Sequence, residues 1–282
     1  MMDYSRYSMG RNIKIAHECP LSIFDHIQSK TDYDYALVHL FEESPEYYSK
    51  FENALKNGRE VILDNSIFEL GTAWDSDRFA YWVNRLLPTW YIIPDVLDNK
   101  DGTIESFEKF EKRWPNLQGK RIAVAQGSSY EELVECYNYF KNHSRVDKIG
   151  LSFNHPFYQE MFAEESSNKY EAMVKGRQWT INQMLANNII NKDKPHHLLG
   201  CGLPQEFEVY RFDSWIDSLD TSNPVLHGLL DIQYEKLDDS NTYGLTDKKS
   251  VKMFTLINEK VVDKLSKIDY NIDKFRKNLE FK

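Results

Sequence analysis

Residues 60–95 read EVILDNSIFELGTAWDSDRFAYWVNRLLPTWYIIPD and contain one strand–helix–strand unit. Two short apolar runs, Glu60 to Leu63 and Trp90 to Ile93, flank a stretch from Asp75 to Leu86 in which apolar side chains recur at helical spacing. Neither run alternates strictly between apolar and polar residues, which is typical of parallel strands covered by helices. This stretch therefore predicts two parallel strands joined by a crossover helix.

The same unit recurs along the chain in both directions. Eight apolar runs are predicted as strands: Ile13 to Ala16, Tyr35 to Leu40, Glu60 to Leu63, Trp90 to Ile93, Arg121 to Ala125, Lys148 to Ser152, His196 to Leu199 and Trp215 to Leu219. Six of the intervening stretches are predicted as helices: Glu46 to Asn57, Asp75 to Leu86, Thr103 to Trp114, Tyr130 to Asn142, Lys169 to Asn187 and Pro204 to Arg211. Eight such units favour an α/β fold of the (β/α)8 TIM-type barrel class over an open doubly wound sheet, which has a similar pattern.

The repeat ends after Leu219. Residues Thr221 to Asp231 predict a loop leading into a short helix, and apolar residues at helical spacing predict a helix over Lys248 to Leu265. A last helix is predicted over Asp269 to Lys282. We therefore expect a single domain over residues 1–282, with a barrel at about 12–230 and extra C-terminal helices at about 231–282.

The composition is that of a folded protein without membrane or secretion signals. Of the 282 residues, 41% are hydrophobic, and the formal net charge is −9. The apolar runs are only a few residues long, whereas a membrane-spanning helix needs about 20. The N-terminus lacks a basic region followed by an apolar stretch, so we expect a cytoplasmic protein that does not associate with membranes. An acidic charge is unusual for a protein that binds nucleic acid.

The cysteines and histidines do not form a recognisable metal motif. Cys19, Cys136 and Cys201 are far apart and odd in number, which argues against a disulfide framework and against a four-cysteine zinc site. No HxH or HExxH spacing occurs. We therefore expect no metal and no cofactor. His196 and His197 begin a predicted strand, at the barrel face associated with stability, and are interpreted as structural residues.

Polar side chains follow several of the predicted strands. Asp64, Asp95, Gln126 and Asp220 each stand at or just after a strand end. Because the carboxyl ends of barrel strands carry the chemistry in this fold, these residues predict an enzyme active site at one mouth. Each residue alone also fits a helix cap or a turn, so the prediction depends on their coincidence. Paired carboxylates are typical of glycosyl transfer and of glycoside hydrolysis.

The segments, taken in order, resemble the tRNA-guanine transglycosylase superfamily. Residues 196–206, HHLLGCGLPQE, are similar to the family segment Pro-His-Tyr-Leu-Met-Gly-Val-Gly-x-Pro-x-Asp. Residues 216–224, IDSLDTSNP, are similar to its nucleophile segment Asp-x-Phe-Asp-Cys-x-x-Pro. Shorter matches lie upstream at Leu63-Asp64-Asn65-Ser66, Asp95, Gln126-Gly127-Ser128 and Gly150-Leu151. The order and approximate spacing hold from about residue 60 to residue 228.

The resemblance implies a role for each matched residue. Asp220 would attack C1′ of a nucleotide, release guanine and form a covalent glycosyl enzyme, while Asp64 would position groups or move protons. The residues expected to bind the purine are Asp95, Gln126, Gly127, Gly150 and Leu151, with Phe68 and Phe153 packing on its faces. His155 stands near the position of a family Glu that recognises an aminomethyl substituent. Packing the base between aromatic rings requires a nucleotide flipped out of its helix.

Departures from the family narrow the expected substrate. The Cys-x-Cys-x-x-Cys and His zinc site is absent from the sequence, and the basic insertion that serves tRNA is shortened or lost. The chain therefore resembles the compact 7-deazaguanine DNA transglycosylases. We expect DNA as the macromolecular substrate, with tRNA as the alternative, and a 7-deazaguanine such as preQ0 or a derivative as the incoming base.

Holding a polynucleotide against the overall acidic charge calls for a local basic strip, assisted by a homodimer or a protein partner. The candidate phosphate contacts are Arg11, Lys175, Arg177, Lys248 and Lys249. Two other functions remain open: a glycoside or nucleoside hydrolase that uses the same carboxylates, and a barrel-like binding protein without turnover.

Overall fold

The structure is a computed structural model that describes residues 13–200, 204–210, 213–234, 253–261 and 263–277. Eight strands form one sheet: β1 (Lys14–Ala16), β2 (Asp34–Leu37), β3 (Val61–Asp64), β4 (Trp90–Ile92), β5 (Lys120–Ala125), β6 (Lys148–Ser152), β7 (His196–Leu199) and β8 (Ile216–Asp220). Their order is β1-β8-β7-β6-β5-β4-β3-β2, and every neighbouring pair is parallel. The sheet is a nearly closed barrel, which confirms the predicted (β/α)8 TIM-type fold.

Helices alternate with these strands. They are α1 (Phe24–Gln28), α2 (Leu40–Glu43), α3 (Pro45–Lys56), α4 (Ile67–Leu70), α5 (Ser76–Leu86), α6 (Lys100–Arg113), α7 (Tyr130–Lys141), α8 (Pro156–Phe162), α9 (Lys169–Ala186), α10 (Asn223–Leu229) and α11 (Leu265–Lys277). Polar residues cap the N-termini of the longer ones: Ser44 for α3, Asp75 for α5, Asn99 for α6, Ser129 for α7 and Asn168 for α9. Their side-chain oxygens accept hydrogen bonds from backbone N–H groups that have no partner within the helix.

The hydrophobic core lies between the strands and the surrounding helices. Every residue of β2, β3 and β4 is buried, as the continuous apolar runs predicted. Because all eight strands are parallel, their carboxyl ends meet at one rim. None of the helices in the described ranges has the length and apolar character needed to span a bilayer.

The boundaries of most predicted elements agree with the structure to within one residue. The strand predicted over Tyr35 to Leu40 is an exception, because it ends at Leu37 and Leu40 begins α2. The helix predicted from Thr103 begins instead at Lys100, directly after the Asn99 cap. The stretch predicted as a helix over Pro204 to Arg211 is a 3-10 helix over Pro204–Val209, and Arg211 lies outside the described residues.

The C-terminal extension differs more from the prediction. The helix predicted over Lys248 to Leu265 is wrong in its described part, where Met253–Leu256 is a 3-10 helix and residues 257–261 are not helical. Backbone groups here bond to the segment after β1 instead: Leu21 N–H donates to the Ile257 carbonyl (2.8 Å), and Ser22 Oγ donates to the Glu259 carbonyl (2.6 Å). The last helix, α11, begins four residues before the predicted Asp269.

Candidate active site

One cavity of about 240 Å³ opens at the carboxyl ends of the barrel strands. Six of the ten predicted site residues line it: Asp64, Phe68, Asp95, Gln126, Phe153 and Asp220. They come from the ends of five strands, β3, β4, β5, β6 and β8, and from the loops and helix that follow, so only the barrel brings them together. The clustering predicted from the strand ends is therefore observed for the carboxylates, the glutamine and both phenylalanines.

Asp220 is the last residue of β8 and is 6% exposed. Its Oδ1 accepts a hydrogen bond from the Gly200 N–H (3.1 Å) and pairs with His197 Nε2 (3.0 Å). Gly200 has a left-handed backbone with φ of 64°, and a Cβ on it would stand 2.4 Å from the Phe153 ring. Glycine at this position therefore allows the backbone to donate to Asp220 directly beneath an aromatic wall.

The two neighbouring histidines of β7 have different surroundings. His196 packs away from the cavity, with Nε2 2.9 Å from the Tyr137 hydroxyl, as expected for a structural residue. His197 lies in the barrel interior and contacts Asp220, so its interpretation as a residue remote from the site is wrong. Side chains two residues apart in a strand share a face. Leu199 lines the cavity, so His197, two residues earlier in β7, also faces the barrel interior.

Asp64 ends β3 in an environment that disfavours its charge. The Tyr35 hydroxyl donates to Oδ2 (2.6 Å), and the Ser66 N–H donates to Oδ1 (2.5 Å). Burial raises the pKa of Asp64 well above its usual range, the nearby Glu69 and Asp220 charges add to this effect, and the two hydrogen bonds oppose it. A carboxyl group with a raised pKa can carry a proton to or from a substrate near neutral pH.

Asp95 is buried beneath the cavity between two amides. Asn65 Nδ2 donates to Oδ1 and Gln126 Nε2 donates to Oδ2, both at 2.7 Å. Burial raises the pKa of Asp95, while these two hydrogen bonds lower it. Asn99, not Asp95, caps the helix α6 that follows, which excludes the helix-cap interpretation of Asp95.

The orientation of both amides is fixed by further hydrogen bonds. Gln126 Oε1 accepts from the Asp98 N–H (3.1 Å), so its NH₂ group must face Asp95. Asn65 Oδ1 accepts from the Ile67 N–H (3.0 Å), which turns its NH₂ group toward Asp95 in the same way. A carboxylate oxygen has two acceptor sites. The two amides therefore hold the Asp95 carboxylate as an acceptor, which suits a ligand that offers adjacent N–H donors.

The remaining four predicted binding residues lie behind the cavity wall. A Cβ on Gly127 would stand 2.4 Å from the Leu133 backbone nitrogen, and a Cβ on Gly150 would stand 2.6 Å from Leu199 Cδ1, so both glycines allow close packing. Leu151 is buried in β6. His155 is buried, and its Nδ1 lies 2.9 Å from Asp98 Oδ1. Asp98 links it to Gln126, because the Asp98 N–H donates to Gln126 Oε1. None of the four is among the residues that line the cavity.

Aromatic side chains form one wall of the cavity. Phe68 and Phe153 meet edge to face, with ring centroids 5.3 Å apart. Phe68 is 41% exposed, although a phenylalanine ring is usually buried. Tyr170 and Met173, from α9, also line the cavity. Such a rim offers an apolar face to a planar ring that enters from solvent.

The charges around the site differ from the sequence prediction in one respect. Arg177, proposed as a phosphate contact, is fully buried and forms a bidentate ion pair with Glu206 (2.5 and 2.7 Å). It also donates to the carbonyls of Leu199 and Gly200, so it anchors the end of β7. Lys175 pairs with Glu171 at 2.9 Å. The other candidates, Arg11, Lys248 and Lys249, lie outside the described residues, as does Cys201.

Within the described ranges, no group of three or more His, Cys, Asp or Glu side chains is arranged to hold a metal ion. Comparison of the chain with protein-family models and with curated proteins finds no match. The functional argument therefore depends on the residues of the cavity.

Proposed function

We propose that this protein is a transglycosylase that exchanges guanine for a 7-deazaguanine derivative in DNA through a covalent intermediate on Asp220. One observation carries the proposal: three carboxylates, Asp64, Asp95 and Asp220, reach a single cavity, and each has different hydrogen-bond partners. Different environments for similar groups are how one site divides acid, base and nucleophile roles.

Asp220 is the proposed nucleophile. Both hydrogen bonds that the described residues make to its carboxylate fall on Oδ1, which leaves Oδ2 to attack C1′ of the nucleotide. As the C1′–Oδ2 bond forms, the C1′–N9 bond breaks and its electron pair leaves with guanine. The product is a glycosyl ester of Asp220, which splits a difficult substitution into two easier ones.

Asp64 is the proposed proton carrier. Its raised pKa allows it to hold a proton that the departing guanine accepts. In the second half of the reaction, Asp64 takes the N9 proton of the incoming 7-deazaguanine, whose nitrogen then attacks C1′ and releases Asp220. The proton and the electron pair return to their starting positions, so no cofactor is required.

Asp95 is the proposed reader of the base. Guanine and 7-deazaguanine share an edge with adjacent N1–H and N2–H donors, which is complementary to the acceptor oxygens of the Asp95 carboxylate. The cavity of about 240 Å³ is slightly smaller than the roughly 300–1,000 Å³ of common small-molecule sites, which suits a single flipped-out base. Phe68 and Phe153 provide the apolar face for that base.

A nucleoside or glycoside hydrolase is the second candidate. Two carboxyl groups in one cavity, Asp220 and Asp64 with its raised pKa, also suit the nucleophile and acid of a glycosidase. Recognition of a base by Asp95 favours base exchange or nucleoside hydrolysis over hydrolysis of a plain glycoside. DNA is favoured over tRNA because the sequence lacks the zinc motif and the full basic insertion of the tRNA enzymes.

The test is incorporation of radiolabelled guanine into DNA and, in parallel, into tRNA. We expect label in DNA. Label found only in tRNA would show that tRNA is the substrate. Release of free guanine without incorporation would support the hydrolase. If the folded protein gives neither incorporation nor release, the proposal is overturned.

The Asp95→Asn variant tests the reader. The NH₂ group of the asparagine would face the N–H donors of the guanine edge, so we expect kcat/KM for guanine exchange to fall by about 10- to 100-fold. Asp101→Asn is the control, because the Asp101 side chain is 89% exposed on α6. Unchanged kcat/KM for Asp95→Asn would remove Asp95 from base recognition.

A further inference from the structure

A chain of hydrogen bonds runs through the buried interior of the barrel to Asp220. Lys148 Nζ contacts Ser218 Oγ (3.2 Å), Ser218 Oγ contacts His197 Nδ1 (3.0 Å), and His197 Nε2 contacts Asp220 Oδ1 (3.0 Å). Lys148 and His197 are 0% exposed, and Ser218 is 1% exposed. The first two members come from the start of β6 and the middle of β8, below the level of the cavity.

The chemistry of the two end members, an ammonium and a carboxylate, sets the direction of the bonds in this chain. Burial lowers the pKa of Lys148, but the Asp217 carboxylate, with Oδ2 2.7 Å from Nζ, opposes this effect and favours the ammonium, which has donors and no acceptor. Ser218 Oγ therefore accepts from Lys148, and at the other end the Asp220 carboxylate, which has acceptors only, takes its hydrogen bond from a proton on His197 Nε2. In a neutral imidazole this leaves Nδ1 without a proton, and Nδ1 accepts from the Ser218 hydroxyl.

Burial supports the neutral form of this imidazole. Burial lowers the pKa of His197, the Lys148 charge lowers it further, and Asp220 opposes both effects. The Tyr35 ring also stacks on the imidazole with centroids 5.9 Å apart, which holds the plane of the ring.

We propose that His197 is a positioning residue for Asp220, held by Ser218 and Lys148 in the tautomer that donates from Nε2 to Oδ1. With the Gly200 N–H on the same oxygen, His197 fixes the rotation of the carboxylate and directs Oδ2 into the cavity. The bonds themselves are independent of the reaction, and only their kinetic consequence rests on the proposed function.

The same three side chains also resemble a Ser–His–Asp triad, in which Ser218 would be the nucleophile. The position of Ser218 argues against that alternative. Ser218 is buried below the cavity and is not among the residues that line it, whereas Asp220 is. A substrate therefore reaches the carboxylate and not the hydroxyl.

The tautomer can be measured in the whole, unliganded protein by ¹⁵N NMR of the histidine rings. The signals of His197 are those missing from the spectrum of His197→Gln. At pH 7 we expect a protonated Nε2 and an unprotonated Nδ1. A proton on Nδ1, or an imidazolium that titrates near the ordinary pKa of about 6.5, would overturn the hydrogen-bond chain.

Base-exchange kinetics test the positioning role. His197→Leu removes the donor to Oδ1, so we expect kcat to fall by about 10- to 100-fold with little change in KM. His197→Gln keeps an N–H donor at a similar reach and should recover much of that loss. His196→Leu is the matched control, since His196 is equally buried on the opposite face of β7, and we expect it to affect stability and not kcat.

His197→Leu and His197→Gln could instead lose kcat equally and in proportion to their loss of stability. That result would show that His197 is only a structural residue. If the wild-type protein exchanges no base at all, the proposed function fails while the NMR result still decides the hydrogen-bond chain. The two failures are therefore distinguishable.

Discussion

Asp64 combines its proposed role as proton carrier with a cost to stability. Because burial raises its pKa above the value in the unfolded chain, folding favours the protonated carboxyl group. The stabilisation by this proton is complete below the unfolded pKa of about 3.9 and is lost as the pH rises through the folded pKa. At neutral pH, Asp64 therefore destabilises the protein relative to a neutral side chain of the same shape.

We predict that Asp64→Asn raises the free energy of unfolding at pH 7 and abolishes most base exchange. An asparagine can still accept from the Ser66 N–H and can donate to the Tyr35 hydroxyl oxygen, so the packing is kept. Urea unfolding at pH 7 and pH 4 measures the effect, which should be smaller at pH 4. A variant that is less stable than the wild type at pH 7 but not at pH 4 would contradict the raised pKa.

At the level of single residues, the sequence predicts which side chains gather at the cavity but not all of their partners. Asp64, Asp95, Gln126 and Asp220 could be identified because strand ends meet at one rim in this fold. Gly127 lies in a segment that resembles a family motif and His155 stands near the position of a family Glu, yet both lie behind the wall, because a match in sequence fixes position along the chain and not the direction of a side chain. His197 was missed because its partner Asp220 lies on another strand.

Close packing of α8 against α9 shapes one side of the cavity. Gly176 in α9 faces Tyr158 in α8, and a Cβ at position 176 would stand 2.5 Å from Tyr158 Cα and 2.3 Å from its Cβ. Backbone atoms and Cβ atoms cannot rotate out of the way, so one helix would have to move. The same helix α9 carries Tyr170 and Met173 to the cavity.

We predict that Gly176→Ala lowers the free energy of unfolding by about 1–3 kcal/mol, although alanine is the better helix former by about 1 kcal/mol. Gly102→Ala in α6 is the control, because its Cβ would meet only the Asn99 side chain, at 3.0 Å or more. Chemical denaturation measures both variants. Equal effects of the two substitutions would mean that the helix contact is not the cause.

At the level of elements, the eight strands were predictable because each is a buried apolar run between turn residues. The region after the barrel was less predictable, since apolar residues at helical spacing do not reveal competing hydrogen-bond partners. Ser22 and Leu21 provide such partners for the backbone around Ile257 and Glu259, and a turn followed by irregular structure replaces the predicted helix there.

Buried histidines make the whole molecule sensitive to acid. Burial lowers the pKa of His17 to about 3, with Arg276 adding to the effect, and burial lowers the pKa of His196 to about 3. Since the unfolded pKa is about 6.5, the stability that these neutral rings contribute is complete above pH 6.5 and is lost as the pH falls through the folded pKa. Asp64 has the opposite effect over part of this range, because its raised pKa adds stability as the pH falls.

We predict that His196→Gln reduces the slope of unfolding free energy against pH by about 1.4 kcal/mol per pH unit between about pH 6 and pH 4. Glutamine cannot take up a proton in this range, and its amide can keep a hydrogen bond with the Tyr137 hydroxyl. Denaturation series at several pH values measure the slope. A slope identical to that of the wild type would show that His196 is not forced to stay neutral in the folded protein.

The net charge of −9 gives the whole molecule a field that opposes DNA, so the chemistry at Asp220 is a more direct test of the account than DNA affinity. The decisive measurement is the mass of the protein after incubation with a guanine-containing oligonucleotide and denaturation. We predict a covalent adduct of protein and oligonucleotide that disappears when free guanine is added, and that does not form in Asp220→Asn despite an unchanged fold by circular dichroism. An adduct that forms equally in Asp220→Asn, or no adduct in a wild-type protein that exchanges labelled guanine, would contradict a glycosyl intermediate on Asp220.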